Sequence, residues 1–196
     1  MDHFWRHGPA AVSLNELCRR AGISKPALYR AFGGEEGLLL ASLERYRERV
    51  LVPRQGALGA DVPFGVLYER AIDALTSDLG TPPGCLFTRL RQAPARLSPA
   101  VLARVGELEE EQLSTLVAWV RAAQERGELR PDLPPELAAH FVDTQFMTVL
   151  TQVVQGQPVA RIRAVAKLAG QALRIGRLVQ ESGSLSAHRP FAENQR

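Results

Sequence analysis

Cysteine and histidine are too sparse and too scattered here to mark a disulfide scaffold or a metal protein. Two cysteines, Cys18 and Cys85, stand far apart among 196 residues, which excludes a disulfide framework and the close spacing of a zinc site. The four histidines, His3, His7, His140 and His188, have no metal spacing. Neither cysteine has a histidine nearby, and no glycine-rich phosphate loop follows a strand, so no catalytic constellation is visible and no cofactor is called for. No apolar run approaches the roughly 18 residues of a membrane span. The opening MDHFWRHGPAA lacks the apolar stretch of a signal peptide. A cytoplasmic location away from membranes is the expectation. Strand signals are missing too: there is no sustained alternating run and no Asn-Gly or Asp-Gly hairpin turn.

What is present is helical. Hydrophobic residues make up 45% of the chain, enough to bury a substantial core, and they recur at three- and four-residue intervals almost throughout. The fold class is therefore all-α. Short, tightly punctuated helices fill residues 1–50. PRQGALGADVP, from Pro53 to Pro63, then breaks the pattern as a connection. Five further helices follow: Phe64 to Leu79, Cys85 to about Gln92, Pro99 to Arg126 with Gly127 as its C-cap, Pro135 to about Gln155 closing at Gly156, and Val159 to about Gln180. The last carries small residues among its apolar ones, including Ala166 and Gly170. From Ser182 onward the polar tail is expected to be disordered.

The net charge of +3 permits an anionic partner without demanding one. Its distribution is more informative. Arg19, Arg20, Lys25 and Arg30 cluster with Glu16 as the sole acid among them, whereas Glu107, Glu109, Glu110 and Glu111 load the middle of the chain as a solvated face.

The informative run is SLNELCRRAGISKPALYRAFGG, from Ser13 to Gly34. Ser13 with Glu16 three residues on is a capping box, in which the hydroxyl takes the Glu16 amide and the carboxylate returns to the Ser13 amide. Leu14, Leu17 and Cys18 share one face of the helix so begun. Gly22 can end it in the left-handed conformation, with Ile23 plugging the core beneath. Ser24 caps a second helix, Lys25 to about Ala31, in which Pro26 is tolerated in the first turn. Leu28 and Phe32, four apart, are predicted to face inward, leaving Lys25, Ala27, Tyr29 and Arg30 outside. Two short helices joined by a Gly turn form a helix-turn-helix, whose second helix enters the major groove.

The wider run SLNELCRRAGISKPALYRAFGGEEGLLLASL resembles the signature of the TetR family, carried here by Leu17, Ala21, Gly22, Ser24, Lys25, Leu28, Tyr29 and Phe32. The resemblance implies a DNA-binding transcriptional regulator and a homodimer on double-stranded operator DNA. It also implies release from the operator, as a repressor, by a small effector. Carried across, Ser24 and Tyr29 would hold backbone phosphates, and Lys25, Pro26, Ala27 and Arg30 would sit near base edges, with Ser13 counted among the contacts. Arg30 is the candidate for reading guanine, since a guanidinium can donate two bonds to one guanine edge. Two positions depart from the family pattern. Only Asp2 to His7 precede Gly8 and Pro9, so the first helix reads as cut short, with Phe4 and Trp5 left to pack on the helix-turn-helix; this predicts either a start upstream or weaker DNA binding. Glu35 stands where members generally carry a lysine.

The implied architecture is a helix-turn-helix domain over 1–50, a ligand-binding and dimerisation domain over 51–181, and the tail over 182–196. The last two long helices are placed at the dimer interface. Candidates to line an effector pocket are Tyr68, Phe87, Trp119, His140, Phe141, Thr144, Phe146 and Met147, a set that favours a mostly apolar, uncharged or cationic molecule. Two alternatives stand beside this reading: a helical interaction protein that has lost DNA binding, and a thiol-sensing regulator acting through Cys85, whose place near a helix start could activate it.

Overall fold

The computed structural model describes residues 1–57, 62–77, 82–91 and 94–174. The predicted tail, and the last helix beyond Arg174, lie outside the described residues. Among those described there is no strand, only one antiparallel bridge between Leu129 and Arg174.

The chain opens with α1 (Asp2–His7), α2 (Leu14–Ala21) and α3 (Lys25–Phe32). Their boundaries are set locally. Ser13 Oγ accepts the Glu16 amide at 3.2 Å and Ser24 Oγ accepts the Ala27 amide at 3.3 Å, each relieving an orphan donor of a first turn. Gly22 ends α2 at φ 65°, and Gly33 ends α3 at φ 72°. The capping box is only half formed, because the Glu16 carboxylate takes bonds from Arg19 at 2.7 Å and Arg20 at 2.6 Å; a guanidinium outcompetes a backbone amide for a carboxylate. Leu28 is buried as predicted, whereas Ile23 (40% exposed) and Phe32 (38%) stay at the surface of the chain.

A longer helical rod follows: α4 (Glu35–Tyr46), a π turn (Arg47–Leu51) and α5 (Val52–Gly56). The predicted break at Pro53 thus comes later. Proline has no N–H, and its ring collides with the carbonyl four residues back in an ordinary helix. The widened turn immediately before Pro53 makes room for that ring, so the helix passes through it.

The second half holds α6 (Phe64–Thr76), α7 (Leu86–Arg91), α8 (Pro99–Glu125), α9 (Pro135–Val154) and α10 (Val159–Gln171). Cys85 directly precedes α7 instead of opening it. Pro63, at the start of α6, supplies no capping oxygen, and the Phe64 amide donates instead to the distant Glu128 carboxylate. Gly127 turns left-handed after α8, and Gln124 Nε2 donates to the carbonyls of Arg130 and Leu133, both at 2.8 Å, to hold the turn into α9.

The core of this half is aromatic. Phe64 stacks on Trp119 with centroids 4.4 Å apart and on Tyr68 at 5.7 Å, and Tyr68 stacks in turn on Phe146 at 5.7 Å. The Tyr68 hydroxyl donates to the Ala166 carbonyl at 3.0 Å, and burial pushes its pKa up to about 12. Its ring lies where a Cβ on Gly170 would come within 2.6 Å of Cε1. The small residues of α10 therefore serve close packing against α6 within the chain. Gly170→Ala is expected to lose about 1–2 kcal/mol of stability, because overpacking against a pinned ring outweighs the roughly 1 kcal/mol helix-propensity gain. Denaturant unfolding would show it, and a Tyr68→Ala background should abolish the loss.

Candidate functional site

The outer face of α3 is assembled from residues that the cap and the buried Leu28 leave no other place to go. Ser24, Lys25, Pro26, Tyr29 and Arg30 are exposed and Ala27 is half-buried. Ser24 and Ser13 use one lone pair each as caps, and a hydroxyl so engaged can still donate its proton to a phosphate. Tyr29 lies against the α3–α4 turn: a Cβ on Gly34 would meet its Cε1 at 3.2 Å, and Gly34 has φ 122°. Gly34 therefore sets where the ring rests.

Charge sorts the basic residues into two groups. Arg19 and Arg20 are drawn to Glu16, whose carboxyl their hydrogen bonds hold below the usual range. Lys25 and Arg30 have no carboxylate within ion-pair distance among the described residues. The positive charge presented freely by the helix-turn-helix is thus concentrated on α3. Glu35 and Glu36 are exposed in the first turn of α4, where the helix dipole favours them.

α4 buries Leu39, Leu43 and Tyr46 and contacts both α3 and α8. Arg104 on α8 donates to Glu44 at 2.6 Å and to Glu107 at 2.7 Å, and Arg47 donates to Glu111 at 3.0 Å. The hydrogen bond from Arg104 holds the Glu44 carboxyl below its ordinary range. Part of the glutamate run thus braces the helix that carries α3 instead of facing solvent alone. α1 is braced as well, and by α7 and α4 where the sequence predicts packing on the helix-turn-helix: Trp5 Nε1 donates to the Gly84 carbonyl at 3.1 Å, and its ring meets Tyr46 edge-on at 4.9 Å.

The same rod walls a cavity of about 230 Å³. Tyr46, Leu51, Arg54 and Gln55 form one side; Leu67, Arg70, Ala71, Ala74 and Leu75 of α6 form another; Gln112, Thr115 and Leu116 of α8 and Phe146, Met147 and Leu150 of α9 complete it with Cys85. Of the pocket candidates read from sequence, Phe146 and Met147 line this cavity. Tyr68, Phe87 and Trp119 are buried in the core around it, while Phe141 is half-buried and His140 and Thr144 lie exposed on α9. The Thr144 hydroxyl is spent on the His140 carbonyl at 2.8 Å.

Two buried polar contacts shape the walls. The Tyr46 hydroxyl donates to Cys85 Sγ at 3.7 Å, and burial raises the Tyr46 pKa well above its ordinary value. Gln112 Nε2 donates to Asp143 Oδ1 at 2.8 Å; burial pushes the Asp143 carboxyl up, and that bond opposes the shift. Among the described residues no group of histidine, cysteine or carboxylate side chains could hold a metal, and no helix is long and apolar enough to cross a membrane.

Comparison with known proteins agrees with this arrangement. The family model described as bacterial regulatory proteins, tetR family, matches residues 1–42, and that of the tetracyclin repressor-like C-terminal domain matches residues 66–168. The HTH-type transcriptional repressor ComR of Escherichia coli (strain K12) is 27% identical over 184 residues, spanning 89% of this chain and 84% of that one. A cysteine mutant of the TetR family transcriptional regulator CifR, solved with 26bp double-strand operator DNA, superposes with a TM-score of 0.73 at 28% identity, covering 87% of this chain and 91% of that one. Reduced E. coli NemR shares the fold, with a TM-score of 0.74 at 17% identity over 88% of this chain and 91% of that one. The chain belongs to the TetR family and is a DNA-binding transcriptional regulator.

Proposed function

We propose that the protein is a homodimeric repressor, acting in the cytoplasm on an operator read by α3, that a small molecule entering the 230 Å³ cavity releases from DNA. One observation carries this: the continuous rod from Glu35 to Gly56 packs on α3 at one end and walls the cavity at the other. A molecule that fits only when this rod shifts prefers a different placement of α3. Differential affinity of that kind is what moves the equilibrium.

On this reading residues 1–50 form the DNA-binding part and 51–181 the sensing and dimerising part. Dimerisation is supported by exposed apolar side chains on α9 and α10, among them Leu137 (58% exposed) and Leu168 (68%), and by the two half-sites that helix-turn-helix dimers read. Ser13, Ser24 and Tyr29 hold phosphates, and Lys25, Pro26, Ala27 and Arg30 face base edges.

The test is binding to the promoter DNA beside the coding region, followed by fluorescence anisotropy. Affinity should fall steeply with salt, by about 10³-fold or more between 50 and 200 mM if six or more phosphates are neutralised. No binding to any promoter fragment at low salt would overturn the reading. A second reading, thiol sensing, draws on Cys85 because it lines the cavity and accepts from Tyr46. It predicts that N-ethylmaleimide lowers operator affinity of the wild type and spares Cys85→Ser; unchanged wild-type affinity removes it.

A further inference from the structure

We infer that the cavity takes an amphiphilic monoanion, a small monocarboxylate whose apolar tail fills the space between α6, α8 and α9 while its head meets Arg54 and Arg70. This inference rests on the proposed role of the cavity as the effector site, and it changes the ligand class that the aromatic residues favour.

Three observations converge. First, no aspartate or glutamate lines the cavity among the described residues, whereas Arg54 and Arg70 both do. Neither has a carboxylate within ion-pair distance among the described residues, in contrast to Arg47, Arg104, Arg121 and Arg163 on neighbouring helices, each of which does. A cation would find no lining carboxylate among the described residues, the nearest named one, Asp143, standing behind Gln112 and bonded to it. An anion would find two.

Second, the neutral donors on the walls are largely committed. Tyr46 donates to Cys85, Thr115 donates to the Glu111 carbonyl at 3.0 Å, and Gln112 gives an amide hydrogen to Asp143. A polar head placed deep among them would lose its water and gain few hydrogen bonds. The guanidinium groups supply donors without a committed acceptor, in the fork geometry that suits a carboxylate.

Third, exposure grades the site. Arg70 is exposed and Arg54 half-buried, whereas Leu67, Leu75, Leu116 and Leu150 are buried. The head therefore stays at the rim and the tail goes inward. At the packing density of a protein interior, 230 Å³ holds roughly ten non-hydrogen atoms, the size of octanoate or phenylacetate.

Calorimetric titration of hexanoate, octanoate, benzoate and phenylacetate against the primary amide and the amine of each skeleton tests this on the full chain. At least one acid should bind about tenfold tighter than its amide, as a charged hydrogen-bonded pair at a partly wet site provides. The Arg54→Gln/Arg70→Gln double variant should bind acid and amide alike. Its circular dichroism and unfolding midpoint without ligand establish that it is folded. Amides or amines that bind as well as the acids, or an acid preference that survives in the double variant, overturn the inference. If those neutral or cationic compounds also release operator DNA, the effector reading stands without the anion; no response from any of the three classes counts against both.

Discussion

Trp5→Ala is expected to cost about 3–5 kcal/mol of stability, the usual range for deleting a fully buried tryptophan, and to lower the unfolding midpoint by roughly 10 °C in a chain of this size. The side chain is 1% exposed. Its loss opens a cavity beside Tyr46 and removes the donor that satisfies the Gly84 carbonyl. That carbonyl belongs to a residue with φ 91°, against which Val154 packs so closely that a Cβ would come within 2.7 Å of Cγ2, so it has little freedom to turn toward water. Trp5→Phe keeps most of the apolar contact and should lose about half as much. Calorimetry or denaturant unfolding decides it: a Trp5→Ala chain within about 1 kcal/mol of wild type would mean that α1 contributes little to the fold. The same substitution bears on function, because α1 packs on α7. Six residues of helix are too few to hold themselves. Through Trp5 they join the start of the chain to the helices of its second half, so operator affinity should fall along with stability.

The helix-turn-helix is legible because its signals are local. Ser13, Gly22, Ser24 and Gly33 each act on the amides and carbonyls of the next or last turn, and a serine or glycine at such a place means the same thing in most surroundings. Burial of Ile23 and Phe32 is not local. It depends on what crosses above them, and periodicity alone puts Phe32 inside because Leu28 is there. Pro53 misled for a related reason: proline breaks an ordinary helix, and only the π turn ahead of it, a property of the rod as a whole, lets the helix continue. The cavity is the least local feature of all. Large aromatics attract attention as pocket residues, yet Tyr68, Phe87 and Trp119 fill space so well that they leave none. The signal lay in Leu67, Ala71, Ala74 and Leu75, where an inward helical stripe changes from large to small and its partners across the gap do not compensate. Arg54 and Arg70, spaced 16 residues apart on different helices, could be joined only by the fold.

Arg30→Ala should weaken operator binding by about 30-fold to 10⁴-fold, because a lost bidentate contact to guanine costs about 1–3 kcal/mol and the proposed dimer would lose it in both half-sites. The structure sets Arg30 apart from the other arginines of this region. Arg19 and Arg20 share Glu16, and freeing either for DNA means giving up a bond of 2.7 or 2.6 Å, so alanine at those positions should change affinity far less. Lys25 likewise has no carboxylate within ion-pair distance among the described residues, but an ammonium is a point charge without the fork of a guanidinium, so Lys25→Ala should change the choice of base less than Arg30→Ala does. Arg30→Ala should instead relax the choice of base at one position of each half-site, with no loss of stability, since the side chain is exposed and makes no ion pair among the described residues. Measured on the promoter site and on variants changed one base pair at a time, unchanged discrimination would remove Arg30 from base reading. A uniform drop at every variant would move it to the phosphates beside Ser24 and Tyr29. The two outcomes separate because a phosphate contact is indifferent to the base it stands beside, and a guanine contact is not.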